Sequence, residues 1–137
     1  MELKALRGTT APERQLIKAL RSGKYTQGHN VMRMEDTHCC LGVGCDISGL
    51  GEWVESHDSA GLFHYVEDGC EFDKLLGDTA LPGDVQFWFD WATSTGELVD
   101  PIEGLNSLAA LNDNGYSFPD IADVIEAGMV KLDGDGE

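Results

Sequence analysis

Apolar residues recur at helical spacing early in the chain, and the residues in front of them predict where a helix begins. In the opening Thr10-Ala11-Pro12-Glu13, Thr10 can cap the first turn and Glu13 can complete a capping box. Pro12 fits the first turn because its missing N–H is not needed there. The apolar face consists of Leu16, Ile17 and Leu20. The pattern predicts an amphipathic helix that ends at Gly23.

The clearest apolar pattern lies near the C-terminal end and predicts two helices joined by a tight turn. The first apolar face consists of Leu105, Leu108, Ala109 and Leu111. Asn114-Gly115 ends this helix, and Ser117-Phe118-Pro119-Asp120 starts another in the way that Thr10 to Glu13 does. The second apolar face consists of Ile121, Ala122, Val124 and Ile125. We therefore expect a helical hairpin.

A third segment, His38-Cys39-Cys40-Leu41-Gly42-Val43-Gly44-Cys45-Asp46-Ile47, is almost entirely apolar. It predicts a buried helix from near Thr37 to just before Gly49. Glycine costs about 1 kcal/mol inside a helix, so Gly42 and Gly44 indicate close packing against another element.

The middle of the chain predicts strands followed by an aromatic helix. A short strand is expected at Val31 to Met34. Strands are also expected at Trp53 to Glu55 and at Leu62 to Val66, because they contain aromatic and β-branched residues. Pro82 opens a helix whose large residues should bury together. These residues are Val85, Phe87, Trp88, Phe89 and Trp91.

The predicted fold is α+β: one small domain over residues 1–131, mostly helical, with a short central β region and a C-terminal helical hairpin. Residues 132–137 are expected to form a flexible acidic tail. The 137 residues fit one domain, and the 42% hydrophobic content is enough for a core. No apolar run approaches the roughly 20 residues of a membrane helix. The N-terminus lacks the apolar stretch of a signal peptide, which predicts a cytoplasmic protein with reduced cysteines.

Charge divides the chain into two unequal parts. Residues 1–34 hold seven cations against two acids, a net +5, whereas residues 35–137 hold two cations against 23 acids, a net −21. Direct nucleic-acid binding is disfavoured, because phosphate contacts need clustered cations. The acidity is typical of simple solubility or adaptation to salt, or of a surface that binds a basic protein.

Several segments together resemble a group of small phage and prophage proteins. They are residues 19–28 (ALRSGKYTQG), 39–46 (CCLGVGCD), Leu81-Pro82, and 111–126 (LNDNGYSFPDIADVIE). The resemblance implies a phage accessory role in the cytoplasm of a bacterial host cell. It implies no particular catalytic activity.

The cysteine segment allows three interpretations. Zinc is disfavoured because no paired C-x-x-C spacing exists and Cys70 is isolated, so no metal site is expected. A catalytic thiol is possible at Cys39 or Cys40, at the start of the helix, with His38, or else His29 or His64, as base. The third interpretation is packing, in which buried cysteine acts as a small apolar residue. It is favoured, with Cys40 and Cys45 expected to be buried and Cys39 the most exposed.

The C-terminal hairpin resembles a DNA-binding helix-turn-helix, but its second helix carries Asp120, Asp123 and Glu126 at one spacing and no cation. Such a stripe would repel phosphate, so these acids predict a protein-binding face or a structural role. A calcium site is rejected, because Asp113-Asn114-Gly115 and Asp133-Gly134-Asp135 lack the alternating ligands and closing Glu of an EF-hand.

Arg21, Lys24 and Arg33 lie near the glycine-containing turn at Gln27-Gly28-His29-Asn30 and are candidates for binding a phosphate-bearing ligand. An ordinary turn with solvated charges is the simpler alternative. The predicted function is a non-enzymatic phage accessory protein without a cofactor. It would bind a basic host protein through its acidic surface, to counter host defence or to redirect a host protein. The alternatives are a small cysteine-dependent hydrolase or transferase and a nucleotide-sequestering protein. The oligomeric state stays open.

Overall fold

The structure is a computed structural model that describes residues 5–67 and 79–133. Cys70 and residues 134–137 of the expected acidic tail lie outside the described residues. The helices are α1 (Ala11–Arg21), α2 (Cys40–Ser48), α3 (Gly83–Phe89), α4 (Leu108–Asp113) and α5 (Phe118–Glu126). The strands are β1 (Thr26–Gln27), β2 (Arg33–Met34), β3 (Thr37–His38), β4 (Gly51–Glu55), β5 (Leu62–Glu67), β6 (Glu97–Ile102) and β7 (Leu105–Ser107). The α+β class is confirmed, although strands take a larger share than expected.

Helix α1 begins as its sequence predicts. The backbone N–H of Glu13 donates to the hydroxyl of Thr10 (3.3 Å), and the Glu13 carboxylate accepts from the Thr10 backbone (2.9 Å). This reciprocal capping box satisfies two backbone donors that have no partner inside the helix. The predicted apolar face is buried and packs mainly against α5 and α2.

Helix α2 starts at Cys40 rather than near Thr37, because Thr37 and His38 form strand β3. Its predicted end is confirmed, since Gly49 follows Ser48 in the left-handed region at φ +67°. A side chain at position 42 would collide with the backbone carbonyl of Met32, so Gly42 is needed for close packing.

Five strands form one sheet in the order β1-β3-β2-β5-β4. β1 and β3 are parallel and the other neighbours are antiparallel, with β4 and β5 paired along their length. β6 and β7 form a separate hairpin that the sequence analysis missed. Leu105, predicted to begin a helix, lies in β7, and Ser107 caps α4 instead. The predicted helical hairpin is therefore confirmed from Leu108 onward.

The aromatic helix buries only part of its predicted apolar face. Phe89 and Trp91 are fully buried and stack with ring centroids 4.3 Å apart. Trp88 is half-buried, and Phe87 is 83% exposed, contrary to prediction. A helix of seven residues has one inward face, and Val85 and Phe89 occupy it. No helix in residues 5–67 and 79–133 is long and apolar enough to cross a membrane.

Candidate functional site

The cysteine segment forms the start and middle of α2 and is closed to solvent. Cys40 and Cys45 are fully buried, as predicted, and Cys39 is the most exposed of the three at only 5%. Burial raises the pKa of Cys39 to about 11, although the backbone N–H groups of Gly42 and Leu41 oppose the shift. The pKa values of Cys40 and Cys45 are raised well above the usual range, again by burial. All three thiols are therefore protonated at neutral pH, whereas the nucleophilic form of cysteine is the thiolate.

The thiols also make internal contacts. Cys40 donates to the carbonyl of Leu108 across 3.6 Å, and the Cys45 sulfur lies 3.7 Å from the sulfur of Met32. Such contacts are those of packing cysteines in a core.

His38, the first candidate for a catalytic base, is 92% buried in an aromatic cluster rather than beside a thiolate. Its ring lies between Tyr25 and Trp53, with centroid distances of 5.3 and 5.6 Å. Neither ring nitrogen makes a hydrogen bond. Burial lowers the pKa of His38 and the nearby Arg33 lowers it further, although Asp46 and Asp36 oppose the shift. The His38 imidazole is therefore neutral at neutral pH.

Asp46 joins the two aromatic residues that flank His38. Its carboxylate accepts from the Tyr25 hydroxyl (2.5 Å) and from the Trp53 indole N–H (3.1 Å). Burial and then Asp46 raise the pKa of Tyr25 to about 12. Arg33, a predicted ligand-binding residue, lies over the ring of Phe63 at 4.1 Å and that of Trp53 at 5.5 Å. Arg33 does not line the groove that holds Arg21 and Lys24.

Asn112 is a fully buried polar residue that the sequence analysis did not single out. Its carbonyl oxygen accepts from the backbone of Cys40 (3.1 Å) and from the side chain of Gln27 (3.0 Å). Its amide donates to the carbonyl of Gly28 (2.8 Å) and to Asp113. It therefore joins three of the segments that carry the phage resemblance. In the sequence, the position of Asn112 between Leu111 and a polar turn was the signal that could have identified it. Its role is structural.

Two of the three acids predicted to form a binding face are paired inside the molecule. Arg21 on α1 contacts Asp123 at 2.7 Å and Glu126 at 3.0 Å, both on α5. These hydrogen bonds lower the pKa of Glu126 and raise that of Arg21. Asp120 lies at the capped start of α5, where Ser117 accepts from its backbone. The α5 stripe is therefore partly neutralised.

A different acidic surface surrounds the exposed aromatic ring of α3. Asp84 and Asp90, both exposed, stand three residues before and after Phe87. The backbone of Asp133 donates to the carbonyl of Asp90 across 2.8 Å, which brings a third acidic residue to this place. A groove of about 230 Å³ adjoins the ring. We call Asp84, Phe87, Asp90 and Asp133 the Phe87 surface.

No group of three or more metal-ligating side chains occurs among residues 5–67 and 79–133. A family model described as "Domain of unknown function (DUF8296)" matches residues 13–129. No curated protein and no solved structure shows significant similarity to the chain.

Proposed function

The chain belongs to the DUF8296 family, whose description assigns no activity, and from its own surface we propose that it is a binding protein for a basic partner, with Phe87 as the anchor of the contact. The proposal rests on the aromatic ring of Phe87, which is 83% exposed and flanked by carboxylates.

The charge balance supports a basic partner. The described residues contain 18 acids and seven cations. Four of these cations are already engaged inside the molecule: Arg7 and Lys131 each pair with one acid, Arg21 pairs with two, and Arg33 lies on aromatic rings. The excess of negative charge attracts basic surfaces over about one Debye length and accelerates their encounter.

Phe87 supplies what charge alone does not. An exposed aromatic ring forms few hydrogen bonds with water. Covering it with a partner contributes about 25 cal/mol of favourable free energy per Å² of apolar area buried. Aromatic residues are accordingly frequent among the few interface residues that dominate binding energy. Asp84 and Asp90 would form a charged rim, which sets orientation and on-rate more than affinity.

The likeness to small phage proteins gives the proposal its setting. We place the chain in the cytoplasm of an infected bacterium, where its target is a host protein with a basic surface, such as a nucleic-acid-binding component of a defence system. Buried, protonated thiols favour this role over that of a cysteine-dependent enzyme.

The test is affinity capture from bacterial lysate with the full chain, followed by titration of the purified partner. Phe87→Ala should weaken binding by at least about tenfold, which corresponds to a loss of about 1.4 kcal/mol or more and is typical of an aromatic residue at an interface centre. The matched control is Val99→Ala, which shortens another exposed apolar residue, 41% exposed, on β6. It should leave binding unchanged.

A second pair of variants separates the acidic rim from net charge. Asp84→Asn with Asp90→Asn removes two charges beside Phe87, whereas Asp58→Asn with Asp100→Asn removes two elsewhere. The first pair should slow association more than the second, and raising salt should narrow the difference. Equal effects of the two pairs, together with full binding by Phe87→Ala, would refute the proposed site.

A further inference from the structure

Helix α1 carries a surface of the opposite charge on this acidic molecule. A groove of about 640 Å³ runs along the helix and into the turn after it. Four cations line it, and they are Arg14, Lys18, Arg21 and Lys24. Thr9 and Ser22 add hydroxyl groups, and Ile17 adds an apolar edge. Among the described residues that line the groove, Glu126 is the only acid.

The two arginines of the groove are held in place before any ligand arrives. Arg14 donates to the backbone carbonyl of Thr9 across 2.5 Å. Arg21 is fixed by hydrogen bonds to both Asp123 and Glu126. A guanidinium that accommodates two carboxylates presents its donors in the planar arrangement that suits oxyanions. Fixed donors lower the ordering cost of binding.

The two lysines supply charge that the described molecule does not neutralise. Lys18 and Lys24 are exposed, and neither forms an ion pair with any residue in 5–67 and 79–133. Arg14, Lys18 and Arg21 follow one side of α1, and at 1.5 Å per residue they span about 10 Å of the helix axis. Such a row matches a short linear anion with several charges.

We propose that the α1 groove binds a polyphosphate chain of about three phosphates, either free or as part of a nucleoside triphosphate. The short row limits the ligand to a small molecule, because the acidic surface beyond it would repel a long nucleic-acid backbone. Screening confines that repulsion to about 8 Å at physiological salt, so nearby cations dominate inside the groove.

Glu126 is the internal competitor for this ligand. Its carboxylate is 60% exposed and accepts from both terminal nitrogens of Arg21. The side chain of Asp123 is less exposed and contacts one of these nitrogens. An incoming phosphate takes the place of Glu126 on Arg21 and leaves Asp123 bound. Removing the Glu126 charge should therefore strengthen binding of the ligand.

The site is independent of the Phe87 surface, and calorimetric titration of the full chain tests it. The probes are inorganic triphosphate, adenosine triphosphate and inorganic phosphate. Triphosphate should bind more tightly than phosphate. Equal affinity for the two triphosphates assigns recognition to the phosphate chain, and tighter binding of the nucleotide assigns additional contacts to the base. Both results support the groove.

Charge-matched variants locate the binding. Lys18→Gln should weaken triphosphate affinity about 5- to 10-fold, and Lys131→Gln, which removes one charge outside the groove, should change it less than about twofold. Glu126→Gln should tighten binding about 2- to 5-fold. Equal weakening by the two lysine variants, or no preference for triphosphate over phosphate, would overturn the proposal. Tighter binding of an oligoglutamate peptide would also overturn it, in favour of an acidic protein ligand.

Discussion

The indole N–H of Trp91 donates to the fully buried carboxylate of Glu13 across 2.8 Å, linking residues 78 positions apart. Arg7 contacts both oxygens of the same carboxylate at 2.8 Å, and the backbone of Thr10 donates at 2.9 Å. Burial favours the neutral acid, but these donors together outweigh it and lower the pKa of Glu13. The residue that caps α1 thus also anchors the aromatic core.

Glu13→Ala should reduce the free energy of unfolding by about 3–5 kcal/mol, because it leaves Arg7 and the Trp91 N–H without their buried partner. Urea denaturation followed by tryptophan fluorescence measures the loss. Glu126→Ala is the control, since it removes a carboxylate from an exposed ion pair and should cost much less stability. Similar losses for the two variants would show that the buried network stabilises the fold no more than an exposed ion pair does.

Stability should also fall as the pH is lowered below about 6.5, the ordinary value for histidine. Burial keeps His38 neutral in the fold, so the unfolded chain takes up a proton first and gains stability relative to the native state. His38→Gln should flatten this part of the pH profile. Glu13 also has a lowered pKa and acts in the same sense at lower pH, because its contribution is present above about pH 4.5 and is lost only as the pH falls below that value. An unchanged slope between pH 6.5 and 5 in His38→Gln would contradict the assignment.

Neighbouring aromatic residues of α3 should differ sharply in their effect on folding. Phe89→Ala should cost about 3–5 kcal/mol, because the ring is fully buried against Trp91. Phe87→Ala should change stability by less than about 0.5 kcal/mol, as expected for an exposed position. Trp88, half-buried against Phe89, should fall between them. Chemical denaturation of the three variants gives the order, and a large loss for Phe87→Ala would mean that its ring is covered.

Thiol labelling tests the packing interpretation of the cysteines. In a Cys70→Ser background, the native protein should show no fast-reacting thiol at neutral pH, because Cys39, Cys40 and Cys45 are buried and protonated. Denaturant should release all three. Rapid labelling of Cys39 in the native protein would restore the cysteine-dependent enzyme as the leading alternative.

Local signals predicted the helix ends well. Thr10, Gly23, Gly49 and Ser117 each fix a backbone conformation or a hydrogen bond by their own chemistry, so neighbouring residues suffice to interpret them. The start of α2 was missed because Thr37 and His38 obtain their strand partners from β1 and β2, which are themselves only two residues long. Pairing of that kind depends on tertiary context rather than local propensity.

Surface chemistry was less predictable for the same reason. Asp123 and Glu126 form a stripe in the sequence, but their partner Arg21 lies about a hundred positions away. Conversely, Phe87 belongs to an aromatic run that indicates a core, but it lies on the side of α3 opposite the buried Val85 and Phe89. The pairing of Arg21 with α5 does not follow from spacing along one helix, whereas the exposure of Phe87 does once its buried neighbours are known.

The Arg7–Glu13 contact has a practical consequence for anyone who trims the protein. Arg7 also donates to the carbonyl of Val130 at 2.6 Å, and the backbone of Leu6 donates to Ala127 at 2.7 Å. A fragment restricted to residues 13–129 would therefore lose the guanidinium of Arg7 and the hydrogen bonds of Arg7 and Leu6 to the C-terminal segment. It would also lose the β-bridge between Leu98 and Val130. It would keep Glu13 as a buried charge without its main cation. Expression fragments should instead extend at least from Leu6 to Leu132.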